Sequence, residues 1–160
     1  MAAPTLGLRH AVLWVTDPAA SAQFYADVLG LEPKLETPDA VFMSSPSSLT
    51  DHDLGLFRAP AGRAQPGRVG LYHLSWEVPT LDDLEAVRRH LIEVGAYVGE
   101  NNHGVSRSLY AHDPDGIEFE VMWEVPLAEL RADEPSNIPL DLDADKARFG
   151  PDRPGRGGVQ

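Results

Sequence analysis

The feature that most constrains this chain is an internal duplication. Residues 7–16, "GLRHAVLWVT", read as a strand carrying His10, rich in β-branched and aromatic side chains and expected to be buried on both faces. At Asp17 the pattern changes. Asp17 is an N-cap with Pro18 at the first helical position, Ala22, Tyr25, Ala26 and Leu29 recur at helical spacing, and Gly30 stops the helix. Residues 71–79, "LYHLSWEVP", repeat the strand with His73 in the same place, and "TLDDLEAVRRHLIEVGA" repeats the helix, ending at Gly95. The stretch of chain from His10 to Gly30 nearly equals that from His73 to Gly95.

The strands that complete each half follow from local signals. In the first half, runs at 40–44 and 52–58 flank a Ser/Pro-rich turn and predict a small antiparallel meander; "APAGRAQPGRVG" is a linker. In the second, strands are expected near 96–99, 105–112 and 117–123, with "DPDG" as the hairpin turn between the last two. Each half is therefore strand, helix, three strands. The fold class is α+β: two tandem βαβββ modules, about 6–58 and 70–124 within a domain 1–125, forming a cup-shaped mixed sheet. Residues 126–160 shift towards Pro, Gly and charge and read as an irregular C-terminal tail, whose alternating Ile138, Leu140 and Leu142 could dock on the domain or on a partner subunit.

Composition excludes several functions. With 160 residues the chain builds one domain with a real core. Its 25 acidic against 13 basic residues give a net charge of −12, which repels nucleic acid and anionic membranes. There is no cysteine, so disulfides and thiolate ligands are excluded, and His and carboxylate are what remains for metal chemistry. "MAAPTLGLRH" lacks a signal-peptide pattern, and no apolar run is long enough to span a bilayer. The expectation is a cytoplasmic protein.

Strand alternation puts Leu8, His10, Val12 and Trp14 on one face, Leu71, His73 and Ser75 on its repeat, and Glu118, Glu120 and Met122 on one face of the last strand. Two imidazoles and one of the two acids can then converge. A lone His in a strand is more often packed core than ligand, but two at equivalent points of a repeat, with an acid on a third strand, favour metal. Such a set of two histidines and one carboxylate suits Fe(II) or Mn(II) and leaves positions open for substrate and O2.

The stretches "LRHAVLWVTD", "FYADVLGLEP", "LYHLSWEV" and "HGVSRSLYAHDPDGIEFEV" together resemble the vicinal oxygen chelate superfamily of glyoxalases, bleomycin-resistance proteins and extradiol dioxygenases, over roughly residues 6–124. The resemblance implies His10, His73 and Glu120 as metal ligands, Glu120 rather than Glu118 because it is the fourth residue after Gly116. A fourth ligand, used by glyoxalase I and the epimerases, has no counterpart in "DLGLF", where Leu54, Gly55, Leu56 and Phe57 cannot bind metal. The remaining three are similar to the set of extradiol catechol dioxygenases and of fosfomycin-modifying transferases. By resemblance Tyr110, ten residues before Glu120, hydrogen-bonds a bound diol, and His103 serves acid–base steps.

The implied function is cleavage of a catechol-like aromatic diol with O2 at Fe(II), or Mn(II) or another divalent metal, by a homodimer. Two alternatives stay open: a metal-dependent glyoxalase or fosfomycin-type transferase, and a metal-free drug-binding protein. Residue by residue, plainer roles also stand: His103 as a turn cap, Tyr110 and the pair Trp14 and Met122 as packing, His112 as a structural neighbour of the hairpin, and His90 on a solvated helix face. His52 is a marginal candidate for a supporting role.

Overall fold

The computed structural model describes residues 8–61 and 71–158. The chain divides into two compact units, Met1–Val69 and Gly70–Gln160. The first contains strands Ala11–Val15 (β1), Glu32–Thr37 (β2), Ala40–Ser44 (β3) and Leu54–Arg58 (β4), and helix Pro18–Leu29 (α1). Its sheet has the order β1-β4-β3-β2, with β1 and β4 parallel and the other pairs antiparallel.

The signals around α1 act as the sequence implies. The Asp17 carboxylate accepts the Ala19 N–H at 3.1 Å, Pro18 fixes the first turn, and Gly30 ends the helix in the left-handed region at φ 67°. Ala22, Tyr25 and Val28 are buried on the helix, and Leu13, Val15, Val41, Met43, Leu54 and Leu56 on the sheet. Strand β1 departs from expectation. Leu13 and Val15 are buried, yet Val12 and Trp14 remain 49% and 43% exposed, so only one face is covered. The strand lies at the sheet's edge, and its open face is the one that continues back to His10. Strand β2 is exposed throughout and carries no apolar alternation, which is why periodicity does not find it.

The second unit repeats the plan with strands Leu74–Glu77 (β5), Tyr97–Asn102 (β6), Ser106–His112 (β7) and Glu118–Glu124 (β8) and helix Leu81–Glu93 (α2). Its order, β5-β8-β7-β6, with β5 parallel to β8, is that of the first sheet. Helix α2 opens on a reciprocal cap in which Asp83 N–H donates to Thr80 Oγ1 and Thr80 N–H to Asp83 Oδ2, both at 3.1 Å. Leu81, Leu84 and Leu91 are fully buried, as are Leu109, Phe119, Val121 and Trp123 on the strands. In the "DPDG" turn the Asp113 carboxylate collects the Asp115 and Ile117 N–H groups at 2.9 and 2.8 Å, and Gly116 takes φ 78°.

Much of the C-terminal segment is irregular, but it carries a helix, Leu142–Phe149 (α3), and packs on the second unit. Phe149 lies 5.3 Å from the Trp123 ring, the Trp123 indole N–H donates to Arg153 O, and Lys146 bridges Asp82 and Glu85 on α2. Ile138 forms a bridge with Asn102 at the end of β6. No helix among the described residues is long and apolar enough to cross a membrane. From residue 62 onward the expected linker lies outside the described residues.

Candidate active site

The register of the second sheet decides which side chains meet. On β8, Glu120 pairs with Tyr110 of β7 and with Ser75 of β5, while Glu118 pairs with His112. Side chains on directly opposed residues share a face, so Tyr110 and Glu120 stand side by side and His73, two residues before Ser75, falls on the same side. Hence a strand that otherwise packs apolar residues carries Glu118 and Glu120 near its start: both lie on the face turned towards His73.

The distances bear this out. His73 Nε2 lies 3.5 Å from Glu120 Oε2, and His73 Nδ1 lies 3.4 Å from Glu118 Oε1. Neither is an aligned hydrogen bond; His73 Nδ1 and Glu118 Oε1 are buried without a hydrogen-bond partner. Glu120 is only 8% exposed. A buried carboxylate facing an imidazole at that spacing fits a shared divalent cation, which needs anionic and neutral nitrogen donors. Among the described residues no three His, Asp or Glu side chains gather closely enough to hold an ion together. The second unit brings together two donors of the expected set, and the third, His10, belongs to the first unit.

Tyr110 connects this pair to His103. The Tyr110 hydroxyl lies 2.6 Å from His103 Nε2 and 3.5 Å from Glu120 Oε1. Burial, and then the negative charge of Glu120 beside it, push the phenol up to about 12, so it stays protonated through the neutral range. His103 itself is set at the close of β6, where its N–H donates to Ser106 O and Gly104 turns the chain at φ 79°. His103 and Tyr110, which sequence reasoning joined by resemblance alone, thus touch directly.

In the first unit His10 is exposed and stacks on His52, ring centroids 4.4 Å apart, with Phe42 edge-on to His52 at 4.9 Å. The loop that presents His52 is organised by Asp53, whose carboxylate accepts the Ser45 N–H at 2.8 Å and the Ser48 and Thr50 hydroxyls at 2.6 and 2.7 Å. Burial raises the Asp53 carboxyl, but these hydrogen bonds outweigh it and hold the group below its usual range.

Two residues escaped the sequence reading. Glu118, passed over there in favour of Glu120, lies 3.4 Å from His73 Nδ1 and 3.9 Å from His112 Nε2. The hairpin register, which places His112 opposite Glu118, was the signal that could have shown it. The other is Asn137 in the C-terminal segment, whose Oδ1 lies 3.0 Å from His103 Nδ1. No sequence pattern pointed to it.

Several known proteins have similar sequences and folds. Biphenyl-2,3-diol 1,2-dioxygenase 3 of Rhodococcus globerulus is 36% identical over 118 residues, which cover 71% of this chain and 61% of that protein. Catechol-2,3-dioxygenase of Bacillus subtilis (strain 168) is 29% identical over 139 residues, 86% of this chain and 48% of that protein. The chain spans about half the length of the curated relatives it matches. Among solved structures, a glyoxylase/bleomycin resistance protein/dioxygenase domain from Frankia sp. EAN1pec superposes with a TM-score of 0.64 at 23% identity, covering 76% of this chain and 93% of that one. Lactoylglutathione lyase from Agrobacterium tumefaciens superposes at 0.57 with 25% identity, covering 75% and 95%. With a family profile matching residues 7–121, the chain belongs to the Glyoxalase/Bleomycin resistance protein/Dioxygenase superfamily.

Proposed function

We propose that the chain is a metal-dependent extradiol-type dioxygenase that opens the ring of a catechol-like aromatic diol with O2. His10, His73 and Glu120 are its metal ligands, Fe(II) its metal, and Tyr110 and His103 its catalytic residues. The observation that carries this reading is the direct contact of Tyr110 with both His103 and Glu120, which sets an acid–base pair beside a candidate ligand. The names of the relatives, diol dioxygenases at 29% to 36% identity, support the same reaction class.

When bound, the iron supplies electron exchange between diol and O2 and acidifies the diol hydroxyls. The chain's own groups do the rest. The Tyr110 hydroxyl, protonated at neutral pH, hydrogen-bonds a diol oxygen and fixes the ring's orientation. His103 Nε2, in hydrogen-bond contact with that hydroxyl, accepts a proton from the diol by way of it and returns it as the ring opens. Glu118, beside His73 Nδ1, orients the imidazole so that Nε2 faces Glu120. The dimeric assembly expected of the family belongs to the same proposal.

Anaerobic loading with Fe(II), followed by oxygen and a panel of catechols and dihydroxybiphenyls, tests it. The expected result is a yellow ring-opened product and one O2 consumed per diol. A fully iron-loaded protein that turns over no diol rejects the reading, and turnover of a thiol cosubstrate without O2 would favour the transferase alternative.

A further inference from the structure

Residues 136–138 of the C-terminal segment grip the end of β6. Asn102 N–H donates to Ile138 O at 2.9 Å, Ile138 N–H returns the bond to Asn102 O at 3.2 Å, and the Ser136 hydroxyl donates to His103 O at 2.9 Å. Asn137 sits between these contacts at φ 58°, where an L residue is strained and asparagine is among the few side chains that tolerate it. Held so, its Oδ1 lies 3.0 Å from His103 Nδ1.

From this geometry we infer that Asn137 is a positioning residue: it fixes the His103 ring in the form with hydrogen on Nδ1 and so reserves Nε2 for proton exchange at Tyr110. With the Asn137 amide turned oxygen-first to the ring, one assignment follows. An amide oxygen only accepts, so His103 Nδ1 must donate to it. In the neutral ring Nε2 then bears the lone pair, and the Tyr110 hydroxyl at 2.6 Å donates to it rather than to the more distant Glu120 Oε1. Without Asn137, Nδ1 opens to water and the ring reverts towards the Nε2–H form that imidazole prefers in solution. Nε2 would then have no lone pair to offer. The segment that composition marked as a tail in this way completes a unit of the second sheet. The catalytic consequence rests on the proposed dioxygenase reading; the ring's tautomer does not.

The test uses the full, metal-free chain with 15N-labelled histidine and two-bond proton–nitrogen correlation, at a pH where added base no longer changes the ring signals. His103 is assigned by the signals lost in His103→Gln. The expected pattern is hydrogen on Nδ1 and a lone pair on Nε2. Asn137→Gly, which keeps the backbone conformation easy while removing the amide, is expected to shift His103 towards the Nε2–H pattern, and Asn137→Asp, which keeps an acceptor in place, to preserve the parent pattern. An Nε2–H pattern in the parent protein, or an unchanged pattern in Asn137→Gly, overturns the inference. In iron-loaded protein Asn137→Gly is expected to lower kcat about ten- to hundredfold with KM nearly unchanged, and Asn137→Asp to restore most of it; an unaltered kcat in Asn137→Gly also overturns the positioning role. A parent protein with the expected tautomer but no diol turnover upholds the ring assignment and rejects the dioxygenase reading instead.

Discussion

Arg107 and Asp145 meet through two parallel hydrogen bonds, Nε to Oδ2 at 2.7 Å and Nη2 to Oδ1 at 2.8 Å, with Arg107 only 1% exposed. The pair joins β7, the strand that carries Tyr110, to α3. Arg107 also donates to Gly104 O at 2.9 Å, so the same side chain braces the turn beside His103.

Breaking this pair leaves a buried charge with too few partners. Asp145→Ala is expected to destabilise the protein by about 3–5 kcal/mol, whereas the double replacement Arg107→Met with Asp145→Leu stays near the parent because neither charge is then stranded. Urea unfolding followed by tryptophan fluorescence checks both. A single variant as stable as the parent would show that the Arg107–Asp145 pair contributes nothing to the stability of the second unit.

Glu120 and Glu118 are separable by metal binding. Glu120→Ala removes a proposed donor and is expected to abolish stoichiometric binding of Mn(II) or Fe(II). Glu118→Gln changes the side chain proposed to orient His73 and is expected to weaken affinity about ten- to hundredfold. Titration with Mn(II) followed by electron paramagnetic resonance distinguishes the two, and full occupancy in Glu120→Ala would remove Glu120 from the ligand set.

Tyr110→Phe keeps the ring, its packing and the metal donors but deletes the hydroxyl shared with His103. Metal content is expected to be unchanged while kcat on a catechol falls about a hundredfold, the lower end of what a positioned proton donor contributes. Equal kcat in the variant assigns Tyr110 to packing.

Acid should loosen the C-terminal segment. The Arg148 guanidinium hydrogen-bonded to Glu134, with Arg107 beside it, holds that carboxyl below its ordinary value. A depressed folded value means the contribution is complete above the unfolded carboxyl's pKa, about 4.3, and is lost as pH falls through the lower folded value. Thermal midpoints measured from pH 6 down to pH 3 are expected to fall more steeply in the parent than in Glu134→Gln, which starts lower and changes less. Parallel slopes would show that Glu134 titrates alike folded and unfolded.

The amino-acid sequence by itself determined the duplicated strand–helix–strand plan, because its causes are local. Asp17, Pro18 and Gly30 set the limits of α1 through their own backbone chemistry, and Asp113 and Gly116 close the last hairpin within one turn. The face that Glu120 occupies was legible for a related reason: period-two alternation fixes it, while the choice of Glu120 over Glu118 rests on the family resemblance of its place after "DPDG". What only the tertiary structure decided depends on register and on contacts between distant segments. The pairing of β7 with β8 sets Tyr110 against Glu120, and the pairing of β5 with β8 brings Glu118 to His73, neither of which periodicity ranks above other matches. Which face of β1 is buried depends on what packs against the sheet, and the contact of Asn137 with His103 on the return of residue 137 to residue 103. Local sequence signals act over a few bonds, whereas these contacts arise only when separate elements pack together and their side chains fall within hydrogen-bond reach.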